Sequence, residues 1–177
     1  MTLRFECLQC GRCCNRVRVE SCGLTQGLSL LPGEEKLFAE FPDAIMPHAA
    51  IRNPRHRKPR MKVVNYQMVQ EPCPLYDPDT RTCTQYDKRP WVCRAYPFSF
   101  GGTQIEANCG WHDSVQAQIQ YGETAVIHGN EQANAEQRID SFFMAVHKRM
   151  QRTGRTQLLM YDIALQEWVQ LEAAEGT

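Results

Sequence analysis

The sequence predicts a small α+β domain with a few helices, short strands and an irregular half that is dominated by loops and rich in cysteine. Residues 29–41 and 130–152 carry apolar side chains at helical spacing, whereas residues 62–69 are rich in strand-forming side chains. Residues 5–22 and 71–98 contain eight of the nine cysteines, show neither periodicity and are interrupted by Gly, Arg or Pro. The length of 177 residues fits one domain.

The predicted regular elements flank the two cysteine-rich segments. We therefore predict two regions. A cysteine-cluster metal-binding region spans residues 1–112, and an extension of helix and strand at 113–177 packs on the same domain. The elements are a short amphipathic helix at Ser29–Phe41 capped by Ser29, a strand at Lys62–Val69, a short helix at Asp113–Gly122, a longer helix at Asn130–Arg152 that ends at Gly154, and strands at Gln157–Tyr161 and Glu167–Leu171.

The charge balance and the N-terminus place the chain among cytoplasmic proteins. Twenty basic residues balance twenty acidic ones, so no global field favours binding to nucleic acid or a membrane surface. Arg4 and Glu6 interrupt the start of the chain, which therefore lacks the apolar core of a signal peptide. In a reducing compartment, nine cysteines indicate metal binding or thiol chemistry rather than disulfides.

Eight cysteines form a pattern of metal ligands. Two residues between thiols allow both sulfurs to face one centre, and Gly11 allows the backbone to approach them closely. The predicted ligands are Cys7, Cys10, Cys13 and Cys14, in the pattern C-x-x-C-x-x-C-C, and the remote Cys73, Cys83, Cys93 and Cys109. Cys22 is left over. A redox-active dithiol and inert buried thiols are the alternatives.

The thiol count alone slightly favours two zinc ions. Two zinc sites of four thiolates each would use all eight cysteines, whereas one 4Fe–4S cluster needs four. Adjacent side chains such as those of Cys13 and Cys14 diverge, so the two thiols are not expected to share one ion comfortably. The spacing of the first three cysteines, with a remote Cys73-Pro74, is similar to ferredoxin ligation by iron, although the separation of Cys73 from them is unlike a ferredoxin's.

Several residues beside the cysteines are candidate supports of the site. Arginines near a thiolate cluster would stabilise its negative charge, and aromatic rings would shield it from water, although surface charge and core packing explain them equally well. His112 has C-x-x-H spacing from Cys109 and is a candidate ligand or a structural histidine. The supporting residues are Arg12, Arg89, Arg94, Trp91, Tyr96 and Phe98.

A basic segment at 52–62 is predicted to be an exposed loop. It carries six Lys or Arg and no acid, but no interleaved aromatic residues, so we expect solvation rather than nucleic-acid binding. A contact with an unidentified protein partner is the alternative. Phosphate-binding glycine motifs do not occur in the chain, and neither does the C-x3-C-x-x-C motif of radical S-adenosylmethionine enzymes. No cosubstrate pocket can therefore be assigned.

The cysteine pattern resembles the CxxCxxCC, or YkgJ-type, cysteine-cluster family, whose members are described as zinc- or iron-chelating. The matching pieces lie between residues 5 and 112: Phe5-x-Cys7-x-x-Cys10-Gly11-x-Cys13-Cys14, Cys73-Pro74-Leu75, Cys83-x-x-Tyr86, Arg89-Pro90-x-x-Cys93-Arg94-x-Tyr96-Pro97-Phe98 and Cys109. A similar module occurs in flagellin lysine N-methylases, and this resemblance implies an iron–sulfur cluster and methyl transfer from S-adenosylmethionine.

We therefore expect a metal-organised domain that holds an iron–sulfur cluster, as an electron carrier or as the cluster-bearing part of a modifying enzyme. A zinc-binding structural or interaction module is the alternative, and an activity related to protein lysine methylation is a second one. The sequence identifies no catalytic residue, and whether the chain is an enzyme stays open.

Overall fold

The chain folds into two compact units, and its α+β class is as predicted. The computed structural model describes residues 2–5, 7–21, 23–55, 60–99, 104–105, 109–113, 125–127, 129–153 and 156–170. The cysteine unit comprises Met1–Arg16 and Glu71–Ser141, and the sheet unit comprises Val17–Gln70 and Phe142–Thr177. The division after residue 112 stays a prediction.

The regular elements are short in the cysteine unit and longer in the sheet unit. The strands are β1 (Thr2–Arg4), β2 (Val19–Ser21), β3 (Leu24–Gln26), β4 (Leu28–Leu30), β5 (Ile45–Arg52), β6 (Met61–Met68), β7 (Tyr76–Asp77), β8 (Thr82–Cys83), β9 (Phe98–Ser99), β10 (Gln104–Ile105), β11 (Ala125–Ile127), β12 (Gln157–Asp162) and β13 (Glu167–Gln170). The helices are α1 (Arg12–Asn15), α2 (Trp91–Ala95) and α3 (Asn130–Thr153), with 3-10 helices at Glu34–Phe38, Pro42–Ala44 and Tyr86–Lys88.

The sheet unit is built on a five-stranded antiparallel sheet. Its strand order is β13-β12-β5-β6-β4, and β2 and β3 form a separate hairpin. Phe38, Leu30 and Met68 are among the most buried side chains of the unit. Burial of large apolar side chains of this kind stabilises a fold by about 1.5–3 kcal/mol each.

A buried glutamine side chain makes hydrogen bonds beside the register shift in the sheet. Strand β5 has an irregularity between Pro47 and Ala49. Gln67 of β6, which is 0% exposed, donates to the carbonyls of Pro47 at 2.8 Å and Tyr161 at 3.2 Å. Its oxygen accepts the N–H of Gly27 at 2.7 Å. Every polar atom of this buried amide is thus used, as burial requires.

Four predicted elements are confirmed, and one helix is wrong. Strand β6, helix α3 and strands β12 and β13 occupy the expected positions within one or two residues. The helix predicted at Ser29–Phe41 is instead the end of strand β4 followed by a 3-10 helix, Glu34–Phe38. Gly33, with φ 98°, breaks the segment, and pairing of β4 with β6 provides hydrogen bonds that a helix would have made internally.

Other predictions concern segments that the structure describes only in part. Residues 5–22 are largely irregular as expected, but contain helix α1 and strand β2. The basic segment begins in β5 and ends in β6, with turn residues 54 and 55 between them, and residues 56–59 lie outside the described residues. Residues 110–113 are helical, whereas 114–122 of the predicted helix and the predicted helix end at Gly154 lie outside them.

Short paired elements order the cysteine unit. Strands β7 and β8 form an antiparallel pair in which Tyr76 lies opposite Cys83, and β1 pairs with β11 in parallel. Helix α2 has five residues and strands β7 and β8 have two each, so the proline-interrupted segment 71–98 contains only short regular elements. In the described part of the chain, no helix has both the length and the apolar character needed to cross a membrane.

His48 gives the sheet unit a defined response to pH. Its side chain is 5% exposed, and Nδ1 lies 3.0 Å from Nδ2 of Asn65 and 3.2 Å from Oγ of Ser29, which are both neutral groups. Burial lowers the pKa of His48 from 6.5 to about 4. The imidazole is therefore neutral in the folded chain down to acidic pH, whereas the unfolded chain takes up a proton below about pH 6.5.

We expect the free energy of unfolding to fall by about 3 kcal/mol between about pH 7 and pH 4 because of this histidine alone. The contribution of neutral His48 to stability is fully present above about pH 6.5, its pKa in the unfolded chain. This contribution is lost as the pH falls toward about 4, the pKa of His48 in the folded chain. Urea unfolding of the wild type and of His48→Gln across this range checks it. The same pH dependence in both proteins would contradict the assignment to His48.

Candidate metal centre

All eight described cysteines belong to the cysteine unit, and none of them forms a disulfide. Cys7 and Cys13 are exposed, Cys109 is buried and the others are half-buried. Cys22 lies outside the described residues. The predicted ligands are thus brought into one unit, although the two parts of the pattern are far apart in sequence. The elements that carry them are the loop before α1 (Cys7, Cys10), α1 (Cys13, Cys14), the loop before β7 (Cys73), β8 (Cys83), α2 (Cys93) and the residue before the helical turn 110–113 (Cys109).

A glycine turn positions the first cysteines against the later segments. Gly11 has φ 71°, and its carbonyl accepts the N–H of Cys14 and the side-chain amide of Asn15, at 3.0 and 2.9 Å. The ring of Tyr76 lies where a Cβ of residue 11 would stand. The N–H of Cys73 donates to the carbonyl of Cys14 at 2.7 Å. The turn at Gly11 therefore connects the C-x-x-C-x-x-C-C segment to the segment of Cys73.

Pairwise electrostatic interactions link five thiols from four chain segments. We call them the five-thiol group: Cys13, Cys14, Cys73, Cys83 and Cys93. The sulfurs of Cys13 and Cys14 are 3.9 Å apart, so these neighbouring side chains converge, contrary to the divergence expected from the sequence.

Burial and proximity oppose the ionisation of most of this group. Burial raises the pKa of Cys73 to about 11, and it also raises that of Cys93. The Cys13–Cys14 hydrogen bond lowers the pKa of Cys13 to about 7 and raises that of Cys14, so one thiolate forms first and its neighbour stays protonated. Thiols crowded in this way lose their protons together when a metal cation supplies the compensating charge.

A second set of contacts surrounds Cys10 and Cys109. Cys10 Sγ packs against Gly110, where an added Cβ would stand 3.0 Å from the sulfur. The rings of Phe5 and Trp111 meet edge to face at 5.4 Å, and Arg12 forms an ion pair with Asp113. Burial raises the pKa of Cys109, and its thiol interacts electrostatically with those of Cys10 and Cys13. Neighbouring segments thus hold these two thiols close together.

Backbone N–H groups face two of the sulfurs in the same way. Hydrogen bonds from the backbones of Leu75 and Tyr76 lower the pKa of Cys73, partly offsetting burial. Those of Trp111 and His112 do the same for Cys109. In both cases the donors are two and three residues after the cysteine. Amide hydrogen bonds to sulfur favour the thiolate and are typical of thiolate ligands in metal centres.

Two of the three predicted arginines act on the thiols electrostatically. Arg89 lowers the pKa of Cys13 and opposes the rise in that of Cys93, and Arg12 interacts with Cys10 and Cys109. Arg94 instead donates to the backbone carbonyls of Arg89, at 2.8 Å, and Asp87.

Arg89 is held in place from three directions. Its guanidinium lies 3.7 Å from the ring centre of Tyr86, its Nε donates to the Tyr86 carbonyl at 3.0 Å, and its Nη2 lies 3.2 Å from a carboxylate oxygen of Glu131 in helix α3. Helix α3 therefore orients the charge nearest to the five-thiol group.

The aromatic residues divide into those that support arginines and those that pack. Trp91 is half-buried, and its ring centre lies 5.2 Å from the guanidinium of Arg94 and 5.9 Å from that of Arg138. Tyr96 is half-buried, and the side chain of Phe98 lies outside the described residues. Sequence reasoning missed Tyr76, Trp111 and Glu131. For the first two, a nearby signal existed, because each lies two or three residues after a cysteine.

The donor set fits a thiophilic metal, although the described side chains do not enclose one. Among these residues, no three or more His, Cys, Asp or Glu side chains are arranged so that they could hold one ion. Soft thiolates select zinc and iron–sulfur centres over hard cations. The crowded thiols, the amides that face Cys73 and Cys109, and the nearby arginines are the features that a thiolate centre requires.

The family comparison agrees with this donor set. Residues 6–116 match the model of the CxxCxxCC family, described as "Putative zinc- or iron-chelating domain". The chain belongs to the CxxCxxCC family. The matched range includes all eight described cysteines and excludes helix α3 and strands β12 and β13 entirely. No curated protein and no solved structure matches the chain.

Replacement of Gly11 by alanine tests whether the turn at Gly11 positions the cysteines. Gly23 provides the matched control, because its φ of 73° is nearly the same but no atom lies within 4 Å of an added Cβ. Gly23→Ala should cost about 1–2 kcal/mol from backbone strain alone. Gly11→Ala should cost about 1–3 kcal/mol more, because Tyr76 must move. Urea unfolding of both variants gives the comparison, and equal losses would contradict the role of Tyr76.

Proposed function

We propose that the cysteine unit holds a 4Fe–4S cluster through four thiolates of the five-thiol group. The observation that carries this proposal is the set of pairwise electrostatic interactions that link five thiols from four separate segments, although no three of them surround a common point in the structure. A 4Fe–4S cluster takes one thiolate at each of its four irons, so thiols that arrive from different segments can each attach to a different iron. Cys73, Cys83 and Cys93, with either Cys13 or Cys14, would supply these ligands.

The surrounding residues suit a redox centre. A bound cluster of this kind would supply one-electron transfer. Its four thiolates carry negative charge, which Arg89 would offset and thereby raise the reduction potential. The amides of Leu75 and Tyr76 would act in the same direction at the sulfur of Cys73. Glu131 fixes Arg89 and so keeps this charge in one position.

The corresponding role is electron transfer, either as a carrier or as the cluster-bearing part of a modifying enzyme that includes a protein partner. An activity in lysine N-methylation is supported only by the similarity to the module in flagellin lysine N-methylases. No motif for S-adenosylmethionine accompanies the cysteines in this chain. We therefore assign no catalytic residue.

Zinc is the second candidate because of the distance between Cys13 and Cys14. Thiolates bound to zinc at about 2.3 Å in a tetrahedron are about 3.8 Å apart. The two sulfurs here are 3.9 Å apart. Zinc has no redox chemistry, so this arrangement would make the chain a structural or interaction module rather than an electron carrier.

Metal analysis of anaerobically purified protein separates the two candidates. We expect a brown protein that contains iron and acid-labile sulfide in about equal amounts, as a 4Fe–4S cluster requires. Both must be quantified on one sample, because a site that loses iron in air can refill with zinc, which binds thiolates more tightly than ferrous iron. A colourless protein that contains zinc and no sulfide would reject the cluster.

Serine substitutions test the assignment to the five-thiol group. Cys73→Ser and Cys93→Ser should each lower the iron and sulfide content several-fold, because one iron then lacks its thiolate and the loops lose an organising bond. Cys22→Ser is the control and should retain the full content. If either substitution in the group leaves iron and sulfide unchanged, that cysteine is not a ligand.

A further inference from the structure

We propose that His112 is a metal ligand and that it forms, with Cys7, Cys10 and Cys109, a second site beside the five-thiol group. This inference rests on the proposed metal-binding function of the cysteine unit. Three thiolates and one imidazole are a donor set that suits a tetrahedral, borderline-soft divalent ion such as zinc. The ligand spacings, C-x-x-C at residues 7–10 and C-x-x-H at 109–112, are those of paired zinc knuckles.

Three contacts hold these two short segments against each other. The ring of Phe5 packs on that of Trp111, Cys10 Sγ lies against Gly110, and the guanidinium of Arg12 pairs with the carboxylate of Asp113. Every residue from 110 to 113 except His112 thus has a contact partner in residues 5–12.

The backbone around Cys109 already has the arrangement of a metal-binding knuckle. The N–H groups of Trp111 and His112 are directed at the Cys109 sulfur. In such a turn, the side chain three residues after the cysteine occupies the position of the second ligand. Cys73 has an equivalent turn, in which Tyr76 takes that position and lies against Gly11 of the N-terminal loop. His112 occupies the corresponding position after Cys109.

The imidazole of His112 has an unused nitrogen. Its Nδ1 is buried and has no hydrogen-bond partner within the described part of the chain. The nearest carboxylate oxygen, Oδ1 of Asp113, is 3.9 Å away, which exceeds hydrogen-bond distance. The carboxylate of Asp113 forms an ion pair with the guanidinium of Arg12. A buried ring nitrogen without a partner is costly, and a metal ion satisfies it by accepting its lone pair.

Coordination requires side-chain rotation, since no three of these groups surround a common point in the structure. Cys7 is exposed and Cys10 is half-buried, so the side chain of Cys7 has room to move. The contacts of Phe5, Cys10 and Arg12 already hold the backbone segments together. Binding of the ion would therefore complete an existing junction between residues 5–12 and 109–113.

Cadmium-113 NMR of the metal-free full chain, reduced and then loaded with cadmium ions, reports the donor atoms directly. A site with three sulfurs and one nitrogen gives a signal upfield of one with four sulfurs. We expect one such upfield signal in the wild type, and His112→Cys should move it downfield without changing the number of bound ions. The His112→Cys variant changes the donor atom from nitrogen to sulfur and so tests the ligand without removing a ligand position.

Two further variants and a control complete the experiment. His112→Ala should weaken cadmium binding at this signal at least 10-fold, and Cys109→Ser should remove or shift the same signal. His147→Gln is the control, because His147 is exposed and bonds to Gln151, and it should leave every signal in place. Circular dichroism confirms that each variant folds.

The outcomes separate this inference from the proposed function. If the wild type binds cadmium but His112→Cys leaves every signal unchanged, His112 is not a ligand, and the metal-binding function stands. If the wild type binds no cadmium at all, both proposals are wrong. A signal that moves in His112→Cys and weakens in His112→Ala, with His147→Gln unchanged, supports the second site.

Discussion

The arrangement of the cysteine unit depends on one backbone constraint, the left-handed turn at Gly11. This turn allows helix α1 to begin at Arg12, one residue before Cys13, and the packing of Tyr76 on the turn leaves no space for a side chain at residue 11. The hydrogen bond from the Cys73 N–H to the Cys14 carbonyl then joins the N-terminal segment to the hairpin of β7 and β8. These two local contacts join the segment of Cys13 and Cys14 to that of Cys73 and Cys83, without a long helix or a large sheet.

The two units solve the burial of polar groups by different means. In the sheet unit, Gln67 uses all of its hydrogen-bonding atoms on backbone groups, and His48 stays neutral beside Asn65. In the cysteine unit, thiols are crowded although burial disfavours their ionisation. The buried polar groups of the sheet unit find their partners within the protein. Ionised thiols of the cysteine unit need added positive charge, and Arg89 and Arg12 supply a part of it.

Local patterns predicted the elements whose stability is local. Helix α3 follows from apolar residues at helical spacing, and strand β6 from a run of strand-forming residues. Strand β5 was not predicted, because Pro47 and His48 interrupt its apolar pattern and its hydrogen bonds depend on β6 and β12, which are distant or later in sequence. The error at Ser29–Phe41 has the same origin, since Leu28–Leu30 pairs with residues nearly forty positions later.

The sequence predicted which residues form the candidate site, but not which of them lie together. The eight cysteines that spacing predicted as ligands lie within the range of the family model, which also contains Cys22, and their role as ligands stays a prediction. Spacing could not show that Cys13 and Cys14 converge, that Cys10 meets Gly110, or that Glu131 of a distant helix fixes Arg89. These facts depend on how the segments fold together, and a single sequence does not record such long-range contacts.

The insertion of residues 17–70 into the cysteine unit has a consequence for synthesis of the chain. The ribosome produces the C-x-x-C-x-x-C-C segment first and its remote partners only after the whole inserted segment. At about 5–20 residues per second, four thiols therefore emerge several seconds before Cys73 and Cys109. During that interval they are open to oxidation and to capture of the wrong ion. The full set of candidate ligands therefore exists only after Cys109 has emerged.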